Sequence, residues 1–179
     1  MKNIRTLIAA IAILFPALCH AQDWAKFNRY ADQNAQVTVK PKAVFMGDSI
    51  TEGWAREDPD FFTENNFIGR GISGQTTSHM LVRFRRDVID LDPKYVVILA
   101  GTNDIALNNG EISLENILGN IISMCELAEA NRIKPVLCGV LPAAAYRWRP
   151  EVKPADEIIM LNSMIKEYAE AEKIPYVDF

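Results

Sequence analysis

The sequence predicts an open α/β sandwich, one parallel sheet held between layers of helix. Five short apolar runs alternate along the chain with stretches of helical periodicity, the pattern that parallel pairing with right-handed crossovers produces. The runs are rich in β-branched residues and nearly continuous, as strands covered on both faces are. Polar segments at 47–51, 71–74 and 101–104 follow the first three runs. In open sheets of this kind, sites form beyond the carboxyl ends of the strands, where strand order reverses. With the order 2-1-3-4-5 these three ends are neighbours.

Each element has its own justification. Residues 1–21 read as a secretory signal peptide: Lys2 and Arg5 form a basic start, an apolar run follows, and Cys19-His20-Ala21 ends it with small residues at the cleavage positions. The run is too short to span a bilayer. Lipid attachment through Cys19 fits less well, because Leu18 before it is bulky. The mature protein is therefore expected to be exported, periplasmic or extracellular, without stable membrane insertion. A polar lead-in covers 22–40. Strands are predicted at 43–46, 67–69, 95–100 and 135–140, with a fifth beginning at 174–179. A helix over 79–89 ends before Pro93. Leu114, Ile117, Leu118, Ile121, Cys125 and Ala128 make one apolar stripe, and Ile158, Leu161, Ile165 and Tyr168 another. Pro154 and Asp156 suit the start of that last helix.

The 179 residues are 49% hydrophobic and 23% charged, enough for one domain with a sizeable core. Loss of Lys2 and Arg5 with the leader takes the net charge from −4 to −6. Such a protein is not suited to nucleic acid or an anionic membrane surface. Cys125 and Cys138 sit in core-like patterns, and their spacing matches no metal motif.

The chemistry lies in the three polar segments. Val44-Phe45-Met46-Gly47-Asp48-Ser49 ends an apolar strand in a glycine and a serine, with helix-forming sequence after it. That arrangement presents a hydroxyl at a strand end. A serine nucleophile needs a base for its proton and donors for the oxyanion formed on attack. Ser49 brings its own N–H. Gly71 can offer another, since a glycine lets substrate approach the backbone. Asn103 can offer a side-chain amide. Taken singly, each has an ordinary structural role: a helix cap for Gly-Asp-Ser, a turn for Gly71, a capping Asn for Asn103. Asp104 is expected to orient its loop.

Gly47-Asp48-Ser49-Ile50, Arg70-Gly71-Ile72-Ser73-Gly74 and Gly101-Thr102-Asn103-Asp104 together resemble the first three blocks of the SGNH (GDSL-type) hydrolase family, with the right order and placement from about residue 41 to 179. The resemblance implies a flavodoxin-like, three-layer α/β/α sandwich with a five-stranded parallel sheet. It implies Ser49 as nucleophile, with Ser49 N–H, Gly71 N–H and the Asn103 side chain as oxyanion hole. It also implies ester hydrolysis through an acyl-serine and no metal or organic cofactor.

One block is not matched. The family's Asp-x-x-His follows the fifth strand, and here the fifth strand runs to Phe179. Asp178 is not assignable as the triad acid. His20 leaves with the leader, and His79 fits a helix-surface or cap position. Residues 22–179 are thus expected to be an SGNH domain lacking its C-terminal end. For substrate, Tyr146, Arg147, Trp148 and Arg149 follow strand four and should overhang the site, able to hold a sugar ring or pin their own loop. Trp54 could line the pocket or pack on the sheet. No long apolar lid suited to a fatty acyl chain is evident. These features favour small-molecule or carbohydrate esters, acetyl esters in particular. The alternatives are a non-catalytic carbohydrate-binding module, or a lysophospholipase- or thioesterase-type acyl hydrolase.

Overall fold

A computed structural model describes residues 23–179; the expected signal peptide, with Cys19 and His20, lies outside the described residues. The strands are β1 (Ala43–Gly47), β2 (Phe67–Gly71), β3 (Tyr95–Leu99), β4 (Lys134–Cys138) and β5 (Tyr176–Val177). They form one parallel sheet in the order β2-β1-β3-β4-β5, as predicted. Their ends differ from the apolar runs because pairing is a property of the backbone. β2 reaches Gly71 because Gly71 pairs with Gly47. β3 stops before Gly101, whose φ of 123° turns the chain away. β4 stops at Cys138 because the Asn162 side chain takes over both backbone groups of Val140, at 2.7 and 2.9 Å. β5 pairs only opposite Leu137 and Cys138.

The helices are α1 (Ala31–Ala35), α2 (Ser49–Glu57), α3 (Pro59–Glu64), α4 (Thr77–Asp87), α5 (Thr102–Ile105), α6 (Leu114–Ala130) and α7 (Ala155–Glu172). Their starts are encoded locally. Asp48, Asp58 and Ser113 accept backbone N–H bonds at the heads of α2, α3 and α6, each such cap stabilising by about 1 kcal/mol. α4 begins two residues before the predicted start, because Thr76 and His79 form a reciprocal capping box. It ends at Asp87 and passes through a 3₁₀ turn at Ile89–Leu91 before Pro93.

Alternation along β1 sorts the two faces. Val44 and Met46 join Met80, Phe84, Ile117, Ile121, Leu161 and Ile165 in the main core, under α4, α6 and α7. Full burial of each such side chain contributes roughly 1.5–3 kcal/mol. Phe45, pointing the other way, meets Trp54, Phe61, Phe62 and Phe67, with ring centroids 5.2–6.3 Å apart. α2 and α3 thus cover the β1–β2 side of that face. The sandwich has its three layers.

The lead-in is less polar in effect than in composition. Ala25 and Tyr30 are buried. The Tyr30 hydroxyl donates to the Gly71 carbonyl, and Gln75 Nε2 donates to the Ala25 carbonyl at 2.9 Å. Glu52 accepts from Arg29 and from Ser73 N–H, both at 2.8 Å. Residues 25–30 therefore strap the 71–75 loop to the body of the domain.

Candidate active site

Ser49 is the first residue of α2 and is exposed. Asp48, buried beside it, turns its carboxylate back to Ile50 N–H at 2.9 Å. The serine thus sits at a helix N-terminus, where backbone N–H groups and the helix dipole favour a developing anion. Asp48, Ile50, Thr102 and Leu141 line one narrow cleft, so the β1, β3 and β4 ends converge. Larger cavities lie elsewhere: one of about 660 Å³, lined by Tyr95, Lys134 and Pro175, is at the opposite end of the strands.

Asn103 is buried in α5. Its Oδ1 accepts from Asn108 Nδ2 at 2.8 Å, and its Nδ2 donates to the Gln75 carbonyl at 3.0 Å. An amide nitrogen carries two hydrogens. Among the described residues one of them is committed, to Gln75. Asp104 accepts from Thr77 N–H at 2.9 Å and from its hydroxyl at 2.6 Å. It therefore orients the loop, docking it on the head of α4.

Burial pushes both Asp48 and Asp104 up to about 6, and for Asp48 the nearby Asp104 charge adds to the effect. Between about pH 4 and 6 the fold then binds more protons than the unfolded chain, so these groups make stability fall as pH rises through that window. At about 1.4 kcal/mol per pKa unit the penalty at pH 7 is on the order of a few kcal/mol. Asp48→Asn keeps the acceptor for Ile50 N–H and removes the charge. Denaturant unfolding should show Asp48→Asn gaining stability relative to wild type from pH 4 to pH 7. A flat difference would refute the assignment.

The structure redistributes the other predicted residues. Gly71 is buried, and a Cβ there would run into the backbone nitrogen of Glu52. Its missing side chain admits the first turn of α2. The open glycine is Gly74, exposed, at φ 79°, with nothing near the position a Cβ would take. Its carbonyl lies 3.4 Å from Asn108 Nδ2, beside the Asn103 loop. Trp54 stacks on Phe61 at 4.7 Å in the aromatic layer; five residues past Ser49, it is about 140° around the helix from it. Tyr146 is buried and receives a hydrogen bond from the Thr102 hydroxyl at 2.9 Å. It supports Trp148, which stacks on it at 4.9 Å and remains 56% exposed. His79 is engaged by Thr76 and Trp24 at the head of α4. Among the described residues no group of three or more His, Cys, Asp or Glu is placed to hold a metal, and no helix is long and apolar enough to cross a membrane. Cys125 and Cys138 are both buried and unpaired.

Two residues that carry the architecture were not singled out in the sequence. Arg83, fully buried, donates to Gln75 Oε1 at 2.6 Å, Asp87 Oδ2 at 2.8 Å, the Arg70 carbonyl at 2.9 Å and the Gly47 carbonyl at 3.1 Å. One guanidinium thus knots the ends of β1 and β2 to the loop after them. Asn108 is the other. Arg83 and Asp87 fall at i and i+4 among the apolar positions Met80 and Phe84, the signal that could have revealed the pair.

A parallel α/β/α sheet thus carries an exposed serine at the helix head after β1 and a buried asparagine amide after the neighbouring β3. The chain belongs to the GDSL-like lipase/acylhydrolase family, whose sequence pattern matches residues 45–179. The structure superimposes on a GDSL-like lipase of Bacteroides thetaiotaomicron with a TM-score of 0.83 and 53% identity, covering 86% of this chain and 78% of that one. The lipoprotein YqeF of Bacillus subtilis is 38% identical over 80 residues, 43% of this chain and 33% of its own length. Human platelet-activating factor acetylhydrolase IB subunit alpha2 is 28% identical over 108 residues, 58% of this chain and 45% of its own length. The matches thus span less than half of these curated relatives.

Proposed function

We propose that the chain forms the nucleophile and oxyanion portion of a carboxylic ester hydrolase acting on small-molecule or carbohydrate esters, short acyl groups above all, in an exported protein. The observation that carries the reading is that exposed Ser49 and the buried Asn103 amide follow neighbouring strands, β1 and β3, with one Asn103 Nδ2 hydrogen bond assigned among the described residues. Ser49 attacks the acyl carbon. Its own N–H, the Gly74 N–H and Asn103 Nδ2 receive the oxyanion, which collapses to an acyl-serine as the alcohol leaves. The proton must pass through a base, and no histidine follows His79 in the sequence.

Trp148, exposed on the rim, and Arg149, half-buried and 3.5 Å from Glu151, offer a stacking face and a hydrogen-bonding cation to a sugar leaving group. The name of the acetylhydrolase relative favours an acetyl group. Acetate release from an acetylated xylo-oligosaccharide, measured against hydrolysis of p-nitrophenyl octanoate, tests the substrate class. The acetyl sugar should have the higher kcat/KM by at least tenfold; a preference for octanoate would move the reading to longer acyl chains. The lack of a histidine partner within these residues also favours a second reading, a carbohydrate-binding module. Sugar binding with no ester turnover in the full-length protein would select it.

A further inference from the structure

We infer that Asn108 is a positioning residue: it fixes which way the Asn103 amide faces and links that choice to Trp148 on the rim. The inference rests on Asn103 being an oxyanion donor, as proposed above. A terminal amide has two nearly isosteric orientations, and only one presents N–H to the site. Geometry must therefore choose between them.

The choice is made by a chain of hydrogen bonds with one polarity. An indole N–H can only donate. Trp148 Nε1 donates to Asn108 Oδ1 at 3.3 Å, which leaves the Asn108 nitrogen facing the other way. That nitrogen donates to Asn103 Oδ1 at 2.8 Å and lies 3.4 Å from the Gly74 carbonyl. With its oxygen claimed, Asn103 turns its own nitrogen to the Gln75 carbonyl and the site. Flipping Asn103 would set its NH₂ against the Asn108 NH₂, and its oxygen against the Gln75 carbonyl. The backbone holds the relay in place. Leu107, at φ 57°, turns the chain so that Asn108 N–H returns to the Asn103 carbonyl at 3.0 Å. The rim indole, the relay amide and the buried donor thus share one directional hydrogen-bond chain. A leaving group that covers Trp148 acts on the same chain that aims the donor.

Asn108→Asp isolates the polarity. The carboxylate has nearly the same shape and still accepts from Trp148 Nε1, but it faces Asn103 Oδ1 with an acceptor. The Asn103 amide then sets its oxygen against an acceptor in either orientation and should lose its preference for the one that turns N–H to the site. In the ¹⁵N–¹H spectrum its side-chain NH₂ pair, identified by its loss in Asn103→Asp, should move or broaden. On p-nitrophenyl acetate, kcat of the full-length protein should fall by about 10²–10³, the cost of one lost oxyanion donor, with KM within about twofold. A purely structural role would move the melting temperature and leave these two readouts together unchanged. Trp148→Phe, which keeps the ring and removes the indole donor, serves as a second variant should the first fold poorly; it should broaden the same NH₂ pair. An unshifted Asn103 pair in both variants overturns the relay. If wild-type protein hydrolyses no ester, the esterase reading fails, and the spectrum still decides the role of Asn108.

Discussion

Replacing Ser49 by alanine in the full-length protein should lower kcat on p-nitrophenyl acetate by at least ~10³-fold with little change in melting temperature. The expectation follows from where the hydroxyl sits. It is exposed at the head of α2, while the structural work of the turn is done by Asp48, whose carboxylate caps Ile50. Removing the Ser49 hydroxyl therefore leaves the cap, the strand end and the core intact. It removes only the atom that would become acylated. Loss of one member of an acyl-transfer constellation costs nearly as much as loss of all, because the members act as a unit. Turnover in Ser49→Ala equal to wild type would exclude Ser49 as nucleophile. Instability of the variant would instead show that the hydroxyl has a place in the fold.

Arg83→Ala should have the largest effect on stability, about 3–5 kcal/mol, the range for breaking a buried ion pair by removing one partner. The guanidinium is wholly buried and its Nη1 meets the equally buried Asp87 at 2.8 Å. Without it, Asp87 keeps among the described residues one side-chain hydrogen bond, from the Asn34 amide at 2.8 Å, and the carbonyls of Gly47 and Arg70 lose a donor. At a few degrees per kcal/mol for a domain of this size, the melting temperature should drop by roughly 10 °C or more. Arg83→Lys should recover little, since a point charge cannot reach four acceptors on a rigid fork. A drop of under 2 °C for Arg83→Ala would show that water or Asn34 compensates.

The sheet and its order were legible because strands covered on both faces announce themselves as apolar runs, and because polar segments follow three of them. Ser49 and Asn103 stand in two of those segments. What sequence could not decide was direction. Gly71 and Gly74 lie three residues apart and are chemically identical, yet one is pressed against the backbone of α2 and the other stands open. Trp54 lies close to Ser49 in sequence, but helical phase carries it to the aromatic layer. Tyr146 and Trp148 were found as a pair, and only stacking revealed that one is foundation and the other face. Arg83 stayed hidden because an arginine in a helix ordinarily reads as surface. Its burial depends on carbonyls from two distant strands, which no local pattern records.

Ala25, Arg29 and Tyr30 lie ahead of residue 45, where the family's sequence pattern begins. Yet through Gln75, Glu52 and the Gly71 carbonyl they hold the loop on which Gly74 stands. The segment that defines kinship is therefore shorter than the segment that folds. A gene trimmed to the recognisable domain would keep Ser49, Gly74 and Asn103 and lose the brace behind them.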